Sequence, residues 1–255
     1  MNRVRTGIQG YDDMLGGGYL PQTANLVEGA PGTGKTTLGM QFIYNGVAQF
    51  DEPGLILTFE EFPQQYYSDA ASFGWNFRAL EQSGKLRVVL TSPEVSLSDL
   101  RQVGGRIETM AREVGARRVL VDSLSHFERL APDPLALRES VYTFINALKR
   151  EGLTLVLTRE STALLGDAGT GEGEEDIAFV VDSYTLMRYV EIESAVRKAM
   201  LVLKVRGSEH ARDIRQFEVT GRGLEVQARF EGREGIMSGS PRRMAEAFDQ
   251  AFVHK

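Results

Sequence analysis

The sequence contains no cysteine, one tryptophan and three histidines. Without cysteine there can be neither a disulfide framework nor a thiolate metal site. That absence favours an intracellular setting, and a cytoplasmic protein is expected. Long hydrophobic runs are missing too: nothing approaches the ~18 apolar residues of a membrane span. The opening "MNRVRTGIQGYDDML" lacks the apolar block of a signal peptide. Positive charge is in deficit, with 29 Lys and Arg against 35 Asp and Glu, a net charge of −6. Such a balance does not suit a broad grip on nucleic-acid phosphates.

What is present fits a soluble globular chain. Hydrophobic residues make up 42% and charged residues 25% of 255, enough to bury a sizeable core in one large α/β domain. Five apolar runs read as buried strands: "TANLVEG", "PGLILTFEE", "KLRVVLTSP", "ARRVLVDSL" and "GLTLVLTRE". Between them lie helical patterns. Residues 97–114 place Leu97, Leu100, Val103, Ile107, Met110 and Val114 on one stripe, and 134–150 form another helix. Strands that alternate with helices, and are apolar throughout, predict a parallel sheet covered on both faces.

The expected order is a lead-in loop over 1–22, a βα core over 23–160 and a glycine-rich acidic loop over 161–178. The stretches "SYTLMRYVEI", "KAMLVLKVRG" and "RDIRQFEVTGRGLEV" then predict an antiparallel meander over 179–230. The tail 231–255 is expected to carry a short helix. Its Met244, Phe248 and Phe252 suit one helix face, which could dock a protein partner. The whole chain reads as a single domain, without repeats or a disordered linker.

The stretch "VEGAPGTGKTTL" carries the sharpest signal. Gly29, Gly34, Lys35 and Thr36 fit G-x-x-x-x-G-K-[ST], between a predicted strand and a predicted helix. Triphosphate oxygens need backbone N–H groups converging from one side, and glycine lets the backbone come close. The helix beginning near Lys35 adds free N–H groups and a positive dipole end. Gly32, Thr33, Gly34, Lys35, Thr36 and Thr37 are therefore expected to bind ATP. Lys35 would reach the β- and γ-phosphates and the Thr36 hydroxyl would bind Mg²⁺. Asp122, closing an apolar strand in "LVDS", is the candidate to hold Mg²⁺ through a water ligand. Glu60 and Glu61 follow "LILTF", so their strand delivers them to the carboxyl edge of the sheet, where ligands bind in such folds. A carboxylate there can orient and deprotonate an attacking water, and a second acid can raise its pKa.

Taken together, "TGIQGYDDMLGGGYLP", "GAPGTGKTT", "FDEPGLILTFEE", "ASFGW", "VDS", "YVEI", "KVRGSEHARDIRQFEVT" and "EGIMSGSP" resemble the KaiC-type branch of the RecA superfamily. The similarity runs over residues 6–243. It implies a RecA-like fold, a hexameric ring with ATP and Mg²⁺ between subunits, ATP hydrolysis, and a part in signalling or regulation. It assigns Glu60 and Glu61 as paired catalytic acids, alongside Lys35, and sets Ser72 and Phe73 beside the adenine. Lys204, Arg206, Ser208 and His210 match the segment that touches the neighbouring subunit's nucleotide, with Lys198 and Arg212 as flanking cations. Strand alternation in "LVLKVR" independently places Lys204 and Arg206 on one face. Arginine in that role stabilises transition-state charge.

Clock members of the family carry two such halves per chain, and the C-terminal third here looks more like their second half. There a Ser-Thr pair accepts phosphate; here Ala178 and Phe179 occupy those positions, and neither has a hydroxyl. That excludes autophosphorylation at that place. A RecA- or RadA-like recombination ATPase would grip DNA through central loops. Asp167, Glu172, Glu174, Glu175 and Asp176, without Lys or Arg across 161–178, would repel it. A slow, ATP-gated scaffold is the third reading. Intact P-loop and acid-pair residues argue against it.

Overall fold

The computed structural model describes residues 2–102, 104–131, 133–161 and 177–230, with the backbone at 233–234 and 242–243. The five apolar runs form strands β1 (Ala24–Gly29), β2 (Gly54–Thr58), β3 (Leu86–Leu90), β4 (Arg118–Asp122) and β5 (Thr154–Glu160). Four more follow: β6 (Ser183–Ile192), β7 (Ala195–Val205), β8 (Arg215–Thr220) and β9 (Gly223–Arg229). All nine join one sheet in the order β3-β2-β4-β5-β1-β6-β7-β8-β9. The sheet is α/β in character, parallel through its first six positions and antiparallel at its far end.

Neighbouring strand residues serve opposite faces, as a pleated backbone requires. Val27, Ile56, Leu120 and Val156 belong to one buried cluster, and Leu26, Leu55, Val119 and Leu155 to the other. The first face is covered by α1 (Tyr11–Met14), α2 (Lys35–Phe50), α3 (Pro63–Ser72) and α4 (Phe77–Gln82). The second is covered by α5 (Pro93–Leu100), α6 (Arg106–Val114), α7 (Ser125–Glu128) and α8 (Pro134–Arg150). Helix α2 buries Leu38, Phe42 and Ile43 completely. Each such side chain contributes roughly 1.5–3 kcal/mol. Helix α8 starts where the sequence places it, with Pro134 in its first turn and Asp133 accepting from the Ala136 N–H at 2.8 Å.

Two expectations change, and β6 adds a pairing that the sequence does not announce. Strands β6 to β9 form the expected antiparallel meander, and β6 also joins that meander to the core. Strand β6 pairs parallel with β1, Asn25 opposite Ser183 and Gly29 opposite Met187, and the antiparallel pairing begins only with β7. The predicted 97–114 helix is two helices. Its stripe is interrupted at Gly104 (φ +75°) and Gly105, and the Asp99 carboxylate accepts from the Arg106 and Ile107 N–H groups to start α6. Val103 lies outside the described residues, as do the acidic residues of 162–176 and the side chains of the tail. In the tail, Arg242–Arg243 pairs antiparallel with Arg233–Glu234, and the expected helix with Met244, Phe248 and Phe252 lies outside the described residues.

The other change concerns the lead-in. Ile8, Tyr11, Met14, Leu15 and Tyr19 are all buried in the α2-side core. Asp12 accepts from the Thr6 N–H, the Thr6 hydroxyl and the Gly7 N–H, which folds the segment back on itself. The Tyr11 hydroxyl meets Tyr19 Oη at 2.9 Å and Thr185 Oγ1 at 2.8 Å, tying this segment to β6. Tyr11→Phe leaves two buried hydroxyls short of a partner. A loss of about 1–3 kcal/mol is expected, read as a lower urea midpoint at unchanged m. An unaltered midpoint would mean the segment merely lies on the sheet.

Candidate active site

The parallel strands end along one edge, and their register decides what meets there. Gly29 is opposite Glu160, and Thr58 is opposite Asp122. The loop from β1 to α2 therefore leaves the middle of the sheet beside the ends of β2, β4 and β5. A cavity of 310 Å³ opens at this edge, lined by Gly32, Gly34, Lys35, Thr36 and Thr37 from the loop and by Glu60, Glu61 and Asp122 facing it.

The loop's glycines have distinct physical tasks. Gly34 stands at φ +110°, a conformation that residues with a Cβ rarely adopt. A Cβ on Gly29 would run into the Met187 carbonyl oxygen of β6, so only glycine allows the loop to depart so close to the sheet. No side chain caps the start of α2. Its first N–H groups and dipole thus remain available for an anion. Thr33 is buried and donates to the Ala30 carbonyl at 2.8 Å, within the loop and not among the cavity-lining residues.

Lys35 is buried, its Nζ donating to the Ala30 carbonyl at 3.0 Å. Burial lowers its pKa, against the opposing pull of Glu160, Asp122 and Glu28. Asp122 is held from three sides. Its Oδ2 accepts from Thr36 Oγ1 at 2.9 Å and from Tyr66 Oη at 2.7 Å, while Thr158 Oγ1 donates to Oδ1. Thr36 and Asp122 thus offer adjacent hard oxygens. That donor set fits Mg²⁺, which keeps several waters and takes few protein ligands.

Glu60 and Glu61 sit in a tight turn beyond β2. The Thr58 hydroxyl oxygen accepts from both of their N–H groups, at 3.4 and 3.1 Å. His126 Nε2 lies 3.2 Å from Glu60 Oε2. The Glu61 pKa is raised, first by burial and then by the charges of Asp122, Asp69 and Glu60. That makes Glu61 more basic than an ordinary glutamate.

Not every predicted residue meets here. Ser72 is exposed, donating to the Asp69 carbonyl at 2.6 Å, and Phe73 stacks on Trp75 with ring centroids 4.7 Å apart. Neither lines the cavity. The expected cluster of cations around a neighbour's nucleotide is divided by the geometry of β7. Lys198 pairs with Tyr189 above the loop end of the sheet and donates to its own chain's Gly32 carbonyl at 3.2 Å. Val205 pairs with Ser183 at the opposite end. Eight residues of strand separate Lys198 from Arg206, about 25 Å, so the two cannot flank one phosphate group.

At that far end Lys204 donates to the Ala178 and Val181 carbonyls, both at 2.8 Å, and Arg206 to the Phe179 carbonyl at 2.6 Å. The β6–β7 register shifts between Tyr184 and Thr185, so that Lys204 is opposite Tyr184 and Val202 opposite Thr185. Leu203 is the extra residue. Simple alternation would put Val202 and Lys204 on one face. With the bulge, Val202 and Val205 both pack on the α2-side core, which leaves the other face to Lys204 and Arg206. Ser208, His210 and Arg212 follow on the β7–β8 connection, where Arg3 donates to Ser208 Oγ and the Ala211 N–H to the Met14 carbonyl.

Several site residues escaped the sequence reading: Thr58, Tyr66, Thr158, Glu160 and His126. Two carry a signal. Thr58 in "LILTF" and Thr158 in "LVLTRE" are lone hydroxyls near the ends of otherwise apolar strand runs. Tyr66 and His126 reach the acids only through the packing of α3 and α7, which nothing in the local sequence announces.

Comparison with known proteins agrees with this arrangement. The family model "ATPase: KaiC" matches residues 4–231. The circadian clock oscillator protein KaiC of Synechococcus elongatus is 34% identical over 230 residues, which is 88% of this chain and 44% of that protein. The circadian clock protein KaiC3 of Synechocystis is 33% identical over 245 residues, 96% of this chain and 47% of that protein. The KaiC of Parathermosynechococcus lividus is 35% identical over 231 residues, 88% of this chain and 42% of that protein. The chain thus spans less than half the length of these relatives. Among the described residues no helix is long and apolar enough to cross a membrane. A phosphate loop facing paired acids, on a fold matched by one family model over nearly its whole length, establishes that this chain belongs to the KaiC ATPase family.

Proposed function

We propose that this chain binds ATP with Mg²⁺ at the loop 29–36 and hydrolyses it to ADP and phosphate, in a ring of copies with nucleotide between neighbours. One observation carries the reading: Lys35, Thr36, Asp122, Glu60 and Glu61, drawn from three separate elements, open onto a single cavity.

The backbone N–H groups of 32–36 receive the phosphates, and Lys35 exchanges the Ala30 carbonyl for the β- and γ-phosphate oxygens. Thr36 and Asp122 are the residues that would hold Mg²⁺. When bound, that ion would neutralise negative charge on the phosphoryl oxygens. Glu61, with Glu60 beside it, orients a water and takes its proton as the water oxygen bonds to the γ-phosphorus and the bond to ADP breaks. The raised Glu61 pKa suits it to accept that proton. Lys198 supports its own chain's loop. Ser72 and Phe73 are assigned to the adenine end of the nucleotide.

Lys204 and Arg206 point to action across a subunit boundary, because β7 holds them at the sheet edge away from their own phosphate loop. Their cationic heads reach a neighbour's nucleotide, with Ser208, His210 and Arg212 completing that surface, and a hexamer is the assembly we assign. Ala178 and Phe179 have no hydroxyl at the position where the family resemblance puts a phosphate acceptor, which supports hydrolysis over autophosphorylation at that place. The likeness to circadian clock proteins supports a regulatory role for that turnover.

In the Glu60→Gln/Glu61→Gln double variant, nucleotide binding and assembly are expected to persist while turnover falls by at least about 100-fold, measured as phosphate release. Wild-type turnover would remove both acids from the mechanism. Arg206→Ala and Lys35→Ala chains, each inactive alone, should regain activity on mixing, since some interfaces then combine an intact loop with an intact arginine. Mixtures as inactive as their components would show that Arg206 does not act on a neighbour.

A further inference from the structure

We propose that Tyr66 is a positioning residue for Asp122, setting the carboxylate that receives the divalent cation bound with nucleotide. This rests on the reading of the cavity as a Mg²⁺–nucleotide site.

Tyr66 is 1% exposed, lines the cavity, and donates to Asp122 Oδ2 at 2.7 Å. The other two donors come from elements that carry the phosphate site itself: Thr36 from α2, on the same Oδ2, and Thr158 from β5, on Oδ1. Tyr66 alone comes from α3, the helix that starts two residues beyond Glu61. Its donation therefore joins the acid-bearing turn to the metal-site carboxylate across the cavity.

The three donors are not equivalent once the site is filled. Thr36 is the hydroxyl that would serve the cation, and it would then give up its bond to Oδ2. Tyr66 and Thr158 then hold the carboxylate plane, one on each oxygen. Outer partners of this kind fix ligand orientation, and their loss costs about 10–100-fold in metal affinity.

A tyrosine that needed only a partner for a buried hydroxyl would also sit here. The two roles differ in what they do to metal coupling. The test is the ratio of dissociation constants of a fluorescent N-methylanthraniloyl ATP in EDTA and in saturating Mg²⁺, on the full chain. Tyr66→Phe is expected to leave the EDTA value unchanged and to reduce the ratio about 10-fold. Asp122→Asn should abolish the ratio altogether. A thermal melt checks that each variant is folded, and Tyr66→Met replaces the Phe variant if that one fails to fold. Should Tyr66→Phe keep the wild-type ratio while Asp122→Asn loses it, the tyrosine is a core residue and this proposal is overturned alone. Equal weakening of both dissociation constants by Tyr66→Phe would overturn it as well, as damage to the loop's seat. If Asp122→Asn keeps the ratio, the metal site itself has been misplaced and the proposal goes with it.

Discussion

The loop that leaves β1 depends on a backbone-to-backbone approach that no side chain would permit. Gly29 lies against the Met187 carbonyl, with β5 on one flank of its strand and β6 on the other. Because β1 is enclosed in this way, the loop can depart only upward from the sheet's carboxyl edge. It then meets the ends of β2, β4 and β5, and Glu60, Glu61, Asp122 and Glu160 all follow from that placement. A burial-lowered lysine resting on a carbonyl of its own loop is a cation without a strong counter-charge in contact.

The same strand geometry distributes the positive charge. Strand β7 crosses the height of the sheet and carries Lys198 at the loop end and Lys204 at the other, with Arg206 just beyond. One end serves the chain's own loop; the other is beyond its reach. The bulge at Leu203 lets valines on either side enter the core and leaves Lys204 and Arg206 on the opposite face. A small irregularity in pairing thereby fixes which cations face outward.

Much of this was legible in the sequence, for identifiable reasons. Strands enclosed on both faces announce themselves as apolar runs, and the loop spacing is dictated by backbone contact with phosphate, so β1–β5 and residues 29–36 could be read directly. Asp122, Glu60 and Glu61 follow because each ends a strand. The pairing of β6 could not be read, since a half-buried strand shows the same alternation whether its neighbour runs parallel or antiparallel. The 97–114 stripe continued through two glycines that break the helix. The family resemblance groups Lys198 with Arg206, but a strand extends by ~3.3 Å per residue and sets the two at opposite ends of β7. Tyr66 and His126 belong to contacts between elements, where single-strand patterns carry no information.

The most direct measurement is a crystal structure of the full chain grown with Mg²⁺ and a non-hydrolysable ATP analogue. This account predicts the triphosphate along residues 32–36, Lys35 Nζ moved from the Ala30 carbonyl onto it, and Arg206 of an adjacent copy beside the terminal phosphate. A nucleotide bound away from this loop, or a filled loop with no second copy's Arg206 near it, would contradict the account.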